Sequence, residues 1–212
     1  MALVVVGAAI LGWLFLSGSS ASGTPTGKPG TPPVKPGTPP APPQVLKGSR
    51  VLLVGDSLAV GLTPRFKTVA SSSGYVPDAS AQVSTTIKMW NIRLAQILQA
   101  AQPQLVLVSL GTNDSVGTVF SSEQAALDGI IKTVQDAGAV LVWIGPPTLP
   151  ASLVGQDAVR AALKAAVPNY FDSTYVNMPV RDAAQGIHPT PAEYAQWADS
   201  IWDWLTFNRI VE

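Results

Sequence analysis

The 212-residue chain has no cysteine and one histidine, His188. The first absence excludes a disulfide framework, thiol catalysis and cysteine-based zinc sites, and the second leaves too few nitrogen ligands for a typical catalytic zinc. Chemistry on this chain is therefore expected to use neither metal nor cofactor. Charge is also scarce: Asp, Glu, Lys and Arg make up 12% of residues, with 13 basic and 13 acidic side chains. With Lys28 and Lys35 set aside, the remainder carries 11 basic and 13 acidic residues. Such a balance speaks against nucleic acid as a partner.

No charge precedes Lys28, and Ala2 to Leu16 form an unbroken apolar run. Its length of roughly 22 Å as a helix falls short of the roughly 30 Å of a bilayer core. That favours a signal-peptide core with Ser19-Ser20-Ala21 as cleavage site, while the missing N-terminal Lys or Arg keeps a membrane anchor through residues 2–16 open. Either way the protein is expected to be secreted or membrane-anchored outside the cytoplasm. From Gly23 to Pro43, nine of twenty-one residues are proline, and Lys-Pro-Gly-Thr-Pro-Pro occurs at 28–33 and again at 35–40. This composition cannot pack a core and reads as an extended spacer of up to about 65 Å. The expected organisation is an exported or anchored segment over 1–22, a linker over 23–45 and one folded domain over 46–212.

Within that domain, Val51–Val54, Leu105–Ser109 and Val140–Ile144 are short aliphatic runs suited to strands buried on both faces. Weaker strands are expected near Val76–Val83 and Tyr170–Val176. Helical periodicity marks Ile87–Ala101, Glu123–Ala137, Asp157–Ala166 and Pro191–Phe207. Strands alternating with helices predict a parallel sheet between helical layers, with ligands at the strands' carboxyl ends.

Three motifs fall at those ends. Gly55-Asp56-Ser57-Leu58 follows the first strand, where glycine permits a sharp turn and a serine at a helix start can be both nucleophile and oxyanion donor. A helix cap is the plainer reading of the same Asp and Ser. Leu110-Gly111-Thr112-Asn113-Asp114 follows another strand, and the Asn113 amide can donate to a developing oxyanion or act as a turn residue. His188, within Gly186-Ile187-His188-Pro189-Thr190, is the candidate base. Imidazole bases titrate near about 6.5, so a rate that needs one falls in acid.

Together these stretches resemble the SGNH hydrolase family, also called GDSL esterases and lipases, over roughly residues 50 to 205. The resemblance implies an α/β fold, a three-layer α/β/α sandwich of flavodoxin-like type with a five-stranded parallel sheet. It also implies Ser57 as nucleophile, His188 as general base and Ser57, Ser84 and Asn113 as oxyanion donors. Two departures stand out. Ser84, in Gln82-Val83-Ser84-Thr85-Thr86-Ile87, replaces the family's glycine, and a serine there is strained if a positive φ is required. Gln185 stands three residues before His188, where the family has an aspartate. A glutamine can hold the imidazole ring without offsetting its charge, so a Ser57–His188 dyad is expected, oriented by Gln185 or by Asp182.

The leading functional expectation is a serine esterase acting on a small-molecule or polysaccharide ester, with O-acetyl groups of an envelope or capsular polysaccharide a fitting target for an exported domain on a spacer. Two alternatives remain. One is a catalytically weakened scaffold that binds carbohydrate or surfaces, with Trp90 and Trp202 stacking on sugars. The other is a structural module of a virion or envelope. The loops Thr112–Ser122 and Thr148–Gly155 are expected to shape the substrate pocket.

Overall fold

A computed structural model describes residues 44–116, 120–148, 153–178 and 186–212. The apolar run at 2–16, the proline-rich linker up to residue 43, Asp182 and Gln185 lie outside these residues. Five strands, β1 (Arg50–Gly55), β2 (Val76–Ala81), β3 (Leu105–Ser109), β4 (Val140–Ile144) and β5 (Tyr170–Phe171), pair in the order β2-β1-β3-β4-β5, every pair parallel. Five helices connect or follow them: α1 (Ser57–Ser72), α2 (Ile87–Ala101), α3 (Gln124–Asp136), α4 (Gln156–Ala166) and α5 (Pro191–Phe207).

The period-2 alternation of the strands divides the core in two. Val51 and Leu53 of β1, Leu105 and Leu107 of β3, and Val142 and Ile144 of β4 pack with α1 and α5 on one face. Leu52, Val54, Val106, Val108, Leu141 and Trp143 pack with α2, α3 and α4 on the other. Central strands covered on both faces need apolar side chains at nearly every position, which is why β3 and β4 were legible as continuous runs. The architecture is the expected three-layer α/β/α sandwich.

Two elements differ from expectation. The strand expected over Tyr170–Val176 stops at Phe171, because the Asp172 carboxylate accepts from the Thr174 backbone N–H (3.2 Å) and hydroxyl (2.6 Å) and turns the chain into a 3₁₀ turn at Ser173–Tyr175. Aspartate competes with strand pairing in this way through its own local hydrogen bonds. The β2 strand ends at Ala81, two residues early, where the Gln82–Thr86 turn begins.

The chain enters and leaves the domain side by side. Val45, placed by sequence in the linker, is only 4% exposed and bridges to Val211. The Tyr75 hydroxyl donates to the Val45 carbonyl (3.1 Å) and accepts from the Glu212 N–H (2.7 Å). This clasp lies at the amino ends of β1 and β2. Among the described residues, no helix is long and apolar enough to cross a membrane, and no group of three or more acidic, His or Cys side chains is placed to hold a metal.

Candidate active site

Register brings the strand ends level: Gly55 pairs with Ala81 on one side and Ser109 on the other, and Ser109 pairs with Ile144. The chain then turns sharply at Gly55. A Cβ built there would lie 2.0 Å from the Ser109 carbonyl oxygen, so only glycine lets β1 approach β3 while leaving the sheet. Asp56 donates its backbone N–H to that carbonyl (3.1 Å) and caps α1, its Oδ1 accepting from the Leu58 N–H (2.9 Å). The cap reading thus applies to Asp56, and Ser57 is the first helical residue. At that position its N–H has no acceptor within the helix and lies at the positive end of the helix dipole.

His188 reaches Ser57 from the far end of the sequence. Thr190 caps α5 through a capping box with Glu193, whose Oε2 accepts from the Thr190 N–H (2.8 Å) and hydroxyl (2.9 Å), and Pro191 opens the helix. This α5 start packs on α1, where the Tyr194 ring lies against Gly61; a Cβ at Gly61 would meet the ring at 2.1 Å. The helix carrying Ser57 and the loop carrying His188 are thereby fixed together. His188 Nε2 lies 2.9 Å from Ser57 Oγ, and both residues are half-buried.

Ser84 and Asn113 occupy the turns on either side. The turn after β2 starts beside the nucleophile, where the Gln82 N–H donates to the Gly55 carbonyl (2.9 Å). Ser84 has φ 59°, in the left-handed region, so the strain foreseen for a serine in this place is present. Thr85, fully buried, donates its hydroxyl to the Gln82 carbonyl (2.7 Å) and accepts from the Trp90 indole (2.9 Å), which braces the turn from below. Asn113 donates its side-chain amide to the Thr85 carbonyl (2.8 Å), tying the turn after β3 to the one after β2. One amide proton is used in this bond and the amide carries a second. The β3 turn is itself held by the Ser115 hydroxyl on the Gly111 carbonyl (2.8 Å), and the Gly155 N–H donates to the Ser115 carbonyl (3.2 Å).

Asp56 and Asp114, read in the sequence only as turn or cap residues, are both buried under these turns. Burial, followed by the neighbouring Asp114, lifts the Asp56 carboxyl to about 7 against the Leu58 N–H that lowers it. Burial likewise lifts Asp114 to about 6, although the Ile87 N–H at the start of α2 donates to it (3.2 Å to Oδ1). Each follows or precedes a candidate residue in its motif, Asp56-Ser57 and Asn113-Asp114; that adjacency was the one signal available beforehand.

Trp90 and Trp202 do not offer a sugar-stacking surface. Trp90 is 0% exposed, and Trp202 is 5% exposed with its ring edge-on to Tyr75 (5.3 Å between centroids). Gln185 and Asp182, the candidate orienting residues, lie outside the described residues.

Residues 53–196 match the model of the GDSL-like lipase/acylhydrolase family. A search of curated proteins by sequence returns no significant match. Among solved structures, TesA superposes with a TM-score of 0.63 at 21% identity, covering 75% of this chain and 99% of its own. The psychrotrophic esterase EstA from Pseudoalteromonas sp., solved inhibited by monoethylphosphonate, gives 0.61 at 18% identity, covering 74% and 99%. An acetylxylan esterase from Geobacillus stearothermophilus gives 0.62 at 13% identity, covering 79% and 98%. At these identities the likeness is one of fold.

Proposed function

The chain belongs to the GDSL-like lipase/acylhydrolase family and is a hydrolase of ester bonds, and from that premise we propose that Ser57 and His188 form its catalytic dyad. The observation that carries this reading is the 2.9 Å approach of His188 Nε2 to Ser57 Oγ. With the serine hydroxyl donating, Nε2 is the acceptor that a general base must present. Attack by Oγ on the ester carbonyl transfers the hydroxyl proton to Nε2 and forms a tetrahedral oxyanion. Collapse expels the alcohol, which takes the proton from His188, and leaves an acyl group on Ser57. Water activated by the same imidazole then releases the acid and restores the serine.

The oxyanion is met by the Ser57 N–H at the start of α1, the Ser84 N–H in its left-handed turn and the second proton of the Asn113 amide. The imidazole is oriented by Gln185 or Asp182, the dyad working without the family's usual aspartate at position 185. The substrate in this reading is a short acyl ester, specifically an O-acetyl group on an envelope or capsular polysaccharide, reached by a domain exported and carried on the proline-rich spacer. Buried tryptophans supply no platform for the alternative of a sugar-binding module. An activated serine is the testable core: a fluorophosphonate should label wild type on Ser57 and leave Ser57→Ala unlabelled. A folded wild type that resists labelling refutes the dyad.

A further inference from the structure

Two carboxyl groups are buried beneath the proposed dyad, and neither takes part in the acyl-transfer steps. Asp56 is 0% exposed, its Oδ1 accepts one backbone N–H, and its Oδ2 is buried with no hydrogen-bond partner. An ionised carboxylate has acceptor capacity on both oxygens, and a buried charge lacking a counterion is strongly disfavoured. The charged or titratable groups around it offer no relief. Asp114, on the turn after β3, acts on Asp56 with like charge; Glu123, ahead of α3, acts on Asp114 in the same sense. His188, from the loop before α5, is engaged with Ser57.

Asp114 has a different position. Both its oxygens lie near one donor, 3.2 and 3.4 Å from the N–H of Ile87, so it meets the start of α2 from a neighbouring turn, whereas Asp56 caps its own helix α1. The preceding residue, Asn113, grips the Thr85 carbonyl. Positions 113 and 114 therefore hold two points of the Ser84–Ile87 segment.

We propose that Asp56 and Asp114 are positioning residues, Asp56 holding the start of α1 that carries the nucleophile and Asp114 the start of α2 behind the oxyanion turn, with Asp56 holding a proton and Asp114 ionised in the working state. The proposal rests on the dyad reading above and extends it to the support beneath the site. Titration follows the same order: Asp114, lifted to about 6, loses its proton first, and Asp56 must then ionise beside a charged neighbour, near about 7. A proton on Asp56 removes a negative charge one residue from the N–H that meets the oxyanion, where such a charge would oppose the transition state. The Asp114 carboxylate in turn fixes the start of α2 and so the aim of the Ser84 N–H.

Infrared difference spectra between about pH 5 and about pH 9 test the proton directly, because a buried carboxylic acid has a carbonyl band distinct from a carboxylate. Wild type should show two such bands, one lost near about pH 6 and one near about pH 7; Asp56→Asn should lack the second and Asp114→Asn the first. In parallel, Asp56→Ala and Asp114→Ala should lower kcat for a soluble aryl acetate by about tenfold or more with KM little changed. Asp56→Asn and Asp114→Asn, which keep an acceptor for Leu58 and Ile87, should recover most of that loss. The proposal is overturned if the acid band lost near about pH 7 is missing in wild type or survives in Asp56→Asn. It is equally overturned by alanine variants whose loss lies in KM. The infrared arm needs no catalysis and no alanine variant, so it decides the proton even if the dyad reading fails or those variants do not fold.

Discussion

The two ends of the sheet treat polar residues in opposite ways. Among the described residues, every buried Ser, Thr, Asp or Glu lies at the carboxyl-end pole: Asp56, Thr85, Ser109, Thr112, Asp114, Ser115, Ser173 and Glu193. At the amino-end pole the exposed Arg50 guanidinium donates to the carbonyls of Ala101 (2.9 Å) and Gln102 (2.6 Å), while the Tyr75 hydroxyl bonds the Val45 carbonyl out of solvent. An open groove of about 610 Å³ lies at this second pole, lined by Gln99, Gln102 and Gln104 beside Ala95 and Leu98. The cost of desolvating carboxyl groups is met at the carboxyl-end pole, where fixed hydrogen bonds hold the three turns in place.

The sharpest way to break this comparison is to substitute at both poles. Ser57→Ala should lower kcat on an aryl acetate by a factor on the order of 10⁴, while Arg50→Ala should leave kcat unchanged and alter stability by less than about 0.5 kcal/mol. Comparable losses of activity in the two variants would end the distinction.

The next effect is on stability against pH. Asp56 is raised from 3.8 to about 7 in the folded state. Between those values the unfolded chain has lost this proton and the native one keeps it, so stability falls as pH rises through the window and levels off above about 7. The drop from this group is about 4 kcal/mol by linkage. Asp114, raised to about 6, adds a slope of the same sign below about pH 6, so denaturant titrations should find the slope between about pH 6 and about pH 7 largely gone in Asp56→Asn. A wild type whose stability is flat from about pH 4 to about pH 7 would contradict a neutral Asp56.

Asn113→Ala removes both the grip on Thr85 and the amide aimed at the oxyanion. Steady-state kinetics should show kcat down on the order of a hundredfold or more, about 3 kcal/mol. The smallest effect is expected at Ser84, whose left-handed backbone costs about 1 kcal/mol. Ser84→Gly should raise the unfolding free energy by less than about 1 kcal/mol, since glycine's looser unfolded chain offsets part of the relief. Ser84→Val should lower it by about 1–2 kcal/mol. Equal stabilities for the two would show that the turn does not hold its positive φ in solution.

The same contrast between poles explains what was legible in advance. Leu105–Ser109 and Val140–Ile144 match their strands to the residue because a sheet covered on both faces leaves no polar position to blur the pattern. Ile87–Ala101 and Pro191–Phe207 match because Thr86 and Thr190 cap them where periodicity begins. The pairing of Ser57 with His188 could be anticipated from motif order. The burial of Asp56, Asp114 and Thr85 could not, because it arises only when three separate turns close over one another. An aspartate that caps a helix in water and one that caps it in the core look identical in sequence. The short β5 escaped for a related reason, since the Asp172 turn wins over a strand-like Tyr-Phe pair through bonds only two residues long.

The clasp of Val45, Tyr75, Val211 and Glu212 has a practical side. It places the C-terminus at the pole away from Ser57 and stitches it to the first described residues of the fold. A fusion or surface coupling made beyond Glu212 therefore leaves the carboxyl-end mouth open to a bulky polymer. Trimming the last two residues removes the Val211 bridge and uncaps the Tyr75 hydroxyl, so a shortened expression product should melt earlier while its Ser57–His188 geometry stays intact.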